Sequence, residues 1–164
     1  MKKFLVSTAA LFASLSLVAC SSGQSAEQSP LDKIKEKGTL VVATSPDYAP
    51  FEFQTLVDGE NKVVGSDIML AQKIADELGV ELEISSMNFD NVLNSVQNGK
   101  ADLAIAGLSV SPERLEVFDF SDPYYQVGNV LLVQKSDAEK IATVADLDQL
   151  AFAVQKGTTQ DTYA

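Results

Sequence analysis

The chain has no histidine and one cysteine, and its 12 lysines and arginines are outnumbered by 23 acidic residues. Without histidine, the commonest general base and the commonest metal ligand are both missing, so any catalysis would run on carboxylates, hydroxyls or lysine. A lone cysteine, Cys20, cannot form an internal disulfide, and cysteine counting therefore says nothing about an oxidising or reducing setting. The scarcity of basic residues leaves a formal charge of -11, a surface that repels nucleic acid and anionic lipid headgroups alike. No internal repeat is visible, and no phosphate-binding P-loop signature. What is present is 164 residues of 46% hydrophobic composition, enough for one globular unit with a core and too little for two full domains.

Residues 1–19 read as a secretory signal peptide. Met1-Lys2-Lys3 is a short basic start, and the apolar run from Phe4 to Val18 is shorter than the roughly 20 residues a bilayer crossing needs. Its end, Leu17-Val18-Ala19-Cys20, resembles a bacterial lipobox, in which the cysteine is lipid-modified and becomes the new N-terminus. Residues 20–30 are then the lipidated, palmitate-bearing Cys20 and a flexible tether of Ser, Gln and Gly composition. Removing the leader takes away Lys2 and Lys3 and leaves 10 basic against 23 acidic residues, or -13, so such a body stays at the membrane through its acyl chains alone. The expected location is the extracytoplasmic face of the cell membrane.

From Leu31 onward two periodicities alternate. Thr39–Ala43, Val80–Ile84, Ala101–Ile105 and Asn129–Val133 are short β-type runs. Between them, Ser66 can cap a helix with Ile68, Ala71, Ile74, Ala75 and Leu78 on one stripe and Gly79 as its stop. A second helix places Phe89, Val92, Leu93 and Val96 on one face and ends near Gly99. Strands alternating with helices predict an α/β fold with a parallel sheet, and in such sheets ligands bind beyond the carboxyl ends of the strands. That points to the loops after Ala43 and after Ile105.

The first loop, Ser45 to Phe53, carries two prolines around Tyr48 and is stiff. Taken alone, it reads as a structural turn with core aromatics. In the second, Ser111 suits an N-cap with Pro112 at the first helical position, which puts Arg114 in the first turn, where taken alone it reads as an exposed arginine.

Four segments in order, GTLVVATSPDYAPFEF, VVGSDIMLAQKIADELGV, FDNVLNSVQNGKADLAIAGLSVSPERLEVFDFSDPYY and VQKGTTQDTYA, resemble the polar-amino-acid-binding family of extracellular solute receptors. The resemblance runs from about Leu31 to the last residue. It implies a periplasmic-binding-protein-like type II fold, two lobes closing by a hinge, with residues 31–127 in the first lobe and 128–164 as the start of a second lobe that is incomplete. It also implies that Arg114 clamps a ligand carboxylate, that Ser109 and the Gly107 carbonyl receive its ammonium, and that Tyr48 and Phe89 flank its side chain. Gly157-Thr158-Thr159-Gln160 would open a helix, after a short strand from Ala151 to Val154, with Thr158 and Thr159 gripping the carboxylate.

Ser45 stands where relatives that take basic amino acids tend to have an acid, which argues against a lysine or arginine ligand, although Asp47 lies close enough to compensate. The resemblance implies a monomer that hands a small molecule, an amino acid, to an ABC permease driven by a separate ATPase. It implies no metal, no cofactor and no chemistry of its own. The family pattern continues for about one more small domain past Ala164, so this chain alone is expected to bind its ligand far more weakly than the full-length receptor, or to fail to bind. Two other readings stay open: a secreted enzyme of the same fold, dehydratase-like, and a truncated product without activity.

Overall fold

The computed structural model describes residues 28–164 apart from 149 and 152. The leader, Cys20 and most of the tether lie outside the described residues.

At the centre is β1 (Thr39–Thr44), paired in parallel with β5 (Glu81–Ser86) on one side and with the two-residue β6 (Leu103–Ala104) on the other. A strand alternates its side chains between faces, and β1 is apolar on both. Leu40 and Val42 pack with Ile34 of α1 (Pro30–Lys37), Ala71 and Ala75 of α2 (Ser66–Leu78), and Ile105. Ala43 packs on the other side with Val92 of α3 (Phe89–Gln97), Ala101 and Ala106, and Val41 lies against the same cluster. Burial on both faces is what a central parallel strand requires. Leu40 is wholly buried, so Leu40→Ala should cost about 3 kcal/mol through lost contact and the cavity left behind, read as a lower denaturant midpoint.

Three of the expected strands form, with Ala101–Ile105 contracted to its middle. Asn129–Val133 does not: Leu132 is fully exposed and Val130 91% exposed. Among the described residues no strand lies alongside to accept its backbone bonds, and β-type side chains alone do not make a strand. Ala151, Ala153 and Val154 are likewise outside any strand.

Ser66 is the first residue of α2 rather than its cap; the cap is Gly65, with no side-chain bond. The helix start has other acceptors, because the Ser66 and Asp67 amides donate to the Pro50 and Phe51 carbonyls at 3.1 and 2.9 Å. The stop at Gly79 is as expected, a left-handed residue with the Val80 amide reaching back to Ala75 O at 3.0 Å, closing the helix end in the Schellman manner.

A second sheet lies beyond the four β-type runs of the sequence. β2 (Asp47–Tyr48), β3 (Glu52–Val57) and β4 (Glu60–Val64) form an antiparallel meander. Its hairpin turns on Asp58 and Gly59, both at positive φ, the turn that Asp-Gly between β-rich runs favours. α1 is a further element outside the predicted set; it starts on Pro30, after the Ser29 cap, at the end of the expected tether.

Candidate functional site

The chain leaves β1 through Ser45, which is buried and donates its hydroxyl to Asp47 Oδ1 at 3.2 Å. Tyr48 follows, half-exposed, its ring stacked on Phe51 at 5.2 Å, while Phe51 meets Tyr125 edge-on at 4.9 Å. The chain leaving β6 passes the Tyr48 ring at Gly107, whose φ is +56; a Cβ there would lie 3.1 Å from two ring carbons. Only glycine combines that conformation with that approach. The loop after β1 and the loop after β6 therefore meet at Tyr48 and Gly107.

Ser111 caps the short α4 (Pro112–Leu115), accepting from the Arg114 amide at 3.4 Å. The Arg114 side chain lies between the loop before α4 and the residue before Thr158. Its Nη1 donates to Ser109 O at 2.6 Å and its Nη2 to Gly157 O at 3.0 Å. Burial lowers the Arg114 pKa from the ordinary arginine value. Beside it, a cleft of about 320 Å³ is lined by Asp47, Asn88, Phe89, Asp90, Gln155 and Lys156. Gln155 Nε2 donates to Asp47 Oδ2 at 3.2 Å, and Lys156 lies 3.3 Å from Asp90.

The sequence-predicted residues therefore fall into groups. Tyr48 touches Gly107; Arg114 holds Ser109 and reaches Gly157; Phe89 lines the cleft with Asp47. Ser45 sits behind the others, buried. Thr158 caps α5 (Thr159–Tyr163), accepting from the Asp161 amide at 3.1 Å and donating to Gln155 O at 2.7 Å. The Asp161 carboxylate in turn accepts the Gly157 amide at 2.9 Å, and the Thr159 hydroxyl turns to Gln160.

The sequence reading overlooked two acids behind this site. Glu52 and Asp67 are each 1% exposed. Asp67 Oδ2 accepts from the Tyr124 hydroxyl at 2.8 Å and from the Gly107 amide at 3.2 Å. Burial first, then the charge of Asp67 and a hydrogen bond with it, and lastly Asp47, push Glu52 from 4.5 up to about 9. Burial and the bond to Asp67 also raise the Tyr124 phenol. A signal was available: Asp67 lies four residues before Ala71 and eight before Ala75, on the stripe α2 buries.

Because Glu52 titrates near 9 when folded against 4.5 as its ordinary value, the folded chain binds the extra proton between those limits. The stability this confers is full below the lower value and is lost as pH rises through the upper one, at up to about 1.4 kcal/mol per pH unit. Glu52→Gln should flatten that slope in urea unfolding run across the same window.

Residues 40–162 match the bacterial extracellular solute-binding proteins, family 3. The chain belongs to that family. Its fold is the periplasmic-binding-protein-like type II fold, of which it covers part. The chain is 35% identical over 161 residues to the arginine-binding extracellular protein ArtP of Bacillus subtilis, covering 98% of this chain and 58% of that protein. Among solved structures, an amino-acid ABC transporter substrate-binding protein from Streptococcus pneumoniae bound to L-arginine is 62% identical, with a TM-score of 0.76, covering 82% of this chain and 56% of that one. Domain 1 of TmArgBP, as a mutant in its arginine-bound form, is 43% identical with a TM-score of 0.55, covering 60% of this chain and 74% of that one. The family resemblance extends to an enzyme: the cyclohexadienyl dehydratase of Pseudomonas aeruginosa is 33% identical over 154 residues, covering 93% of this chain and 56% of that protein. The chain thus spans under 60% of ArtP and of the Streptococcus pneumoniae protein.

Proposed function

We propose that this chain belongs to an extracytoplasmic receptor, anchored through lipid on Cys20, that captures a cationic amino acid of the arginine type for an ABC permease and its ATPase. The receptor acts as a monomer and carries out no chemistry of its own. The observation that carries this reading is the 62% identity to a protein whose structure holds L-arginine.

The site's electrostatics support a cationic side chain. Asp47 and Asp90 stand at the cleft, each engaged by a nitrogen donor, Gln155 Nε2 and Lys156 Nζ. A guanidinium offers the same kind of donor in a planar fork. Ser45, which by itself argued against such a ligand, hydrogen-bonds the Asp47 carboxylate; the acid is displaced two residues along. In this assignment residues 31–127 make the first lobe and 128–164 enter the second. Arg114, with Ser109 and Gly107, takes the ligand's backbone groups, while Tyr48 and Phe89 flank its side chain and Thr158 and Thr159 close from the other side.

A thermal-shift panel of the twenty amino acids tests the reading. L-arginine and L-lysine should raise the unfolding temperature in the saturable manner of ligand linkage, and L-glutamate should not. Stabilisation by glutamate instead of arginine rejects the cationic assignment, and turnover of any amino acid or cyclohexadienyl acid rejects the receptor reading.

A further inference from the structure

Glu52 and Asp67 come from different elements, β3 and α2, and are buried to the same depth. One oxygen of each, Glu52 Oε2 and Asp67 Oδ1, is buried with no hydrogen-bond partner among the described residues. The Asp67 amide donates to the carbonyl of Phe51, the residue before Glu52, at 2.9 Å, so both acids lie in one buried site, and two carboxyls there can satisfy each other only when one carries a proton. The geometry assigns that proton to Glu52. Asp67 is the second residue of α2, where the helix start favours an acceptor, and its Oδ2 is already committed to two donors, Tyr124 and Gly107.

Those two donors belong to different parts of the site. Gly107 is the loop residue that passes the Tyr48 ring, and Glu52 Oε1 lies 3.9 Å from where its Cβ would stand. Tyr124 belongs to the segment that leads out of the first lobe. The titratable groups facing Glu52 are Asp67 from α2, Asp47 from β2 and the Tyr124 phenol. None is a cation, so among the described residues these groups leave a charge on Glu52 uncompensated.

We propose that Glu52 is a positioning residue of the ligand site: the proton it shares with Asp67 keeps Asp67 Oδ2 aimed at Gly107 and Tyr124, tying the ligand loop and the outgoing segment to one buried hydrogen bond. The ligand half of this statement rests on the receptor reading above; the loop half does not. Ionising Glu52 places two carboxylates side by side in a dry site. They separate or admit water, and the Gly107 amide loses its fixed acceptor. Glutamine at position 52 donates the same hydrogen bond through its amide and has nothing to titrate.

Carbon-detected NMR on the ligand-free full chain tests the loop half. Glu52 Cδ and Gly107 Cα should move together with one midpoint near 9, the value to which burial raises Glu52, and Gly107 Cα should be flat over the same range in Glu52→Gln. Should that variant fail to fold, the joint titration in the wild-type chain decides alone. Glu52 Cδ titrating in the ordinary carboxylate range, or moving without Gly107, overturns the proposal. For the ligand half, L-arginine affinity between about pH 7 and about pH 10 should fall about tenfold more in the wild type than in Glu52→Gln, one pH unit past the midpoint being a tenfold loss of the protonated form. Ligand titration is common to both chains and cancels. Equal falls overturn the positioning role toward ligand. Coupled carbon shifts with no L-arginine binding at any pH uphold the loop half and reject the receptor reading instead.

Discussion

Gly65→Ala should destabilise the chain by about 4 kcal/mol or more, at the far end of what single substitutions do. A Cβ at Gly65 would stand 2.0 Å from the Phe51 carbonyl oxygen, 2.5 Å from its carbon and 2.8 Å from Pro50 O, and the residue sits at φ +134. All three obstacles are backbone, so no rotamer change relieves them, and the conformation is one that residues with a side chain rarely adopt. The carbonyls that must move are the two that accept the Ser66 and Asp67 amides, so the collision also strips the start of α2. Urea unfolding at constant pH measures it; a loss below about 1 kcal/mol would mean that the β3 to α2 junction yields far more readily than a packed interior does.

The second large effect concerns binding. On the receptor reading proposed above, Arg114→Lys should weaken L-arginine affinity about a hundredfold, roughly 2.7 kcal/mol, a larger effect than on the unfolding of the ligand-free chain, where the two carbonyl bonds alone are lost. The guanidinium spans two carbonyls, Ser109 O close by in the chain and Gly157 O, 43 residues beyond Arg114. A planar fork can serve both and present its remaining donors to a carboxylate, whereas an ammonium is a single point with no fixed directions. Calorimetry on the two chains reads it directly, and equal affinities would remove Arg114 from the ligand's contacts.

The sequence was most legible where one local pattern decided one element. β1 and β5 follow from β-type runs, α2 and α3 from 3.6-residue stripes, and Gly79 and Ser111 from end chemistry that acts within a turn. It was least legible where a residue's meaning depends on distant partners. Ser66 carries the side chain of a cap, yet the carbonyls of Pro50 and Phe51 had already taken that task. Asn129–Val133 has strand composition but no neighbouring strand among the described residues. Asp58-Gly59 is a different kind of miss, since that hairpin signal is local and was available.

The site divides in the same way. Tyr48 and Gly107 are brought together by two loops, and Arg114 reaches back to Ser109 O. Glu52 and Asp67 were passed over because an acid on a buried stripe reads as surface until its partner on another element is known. Stripe analysis that counted Asp67 alongside Ala71 and Ala75 would have raised the question.

The closed start of α5 has a thermodynamic corollary. The Gly157 amide is already satisfied by the Asp161 carboxylate, and the Thr158 hydroxyl is already spent within its own turn. An external carboxylate that comes to rest there exchanges with an internal one and leaves the count of bonds to that amide unchanged. On the receptor reading proposed above, its net gain at that amide is small.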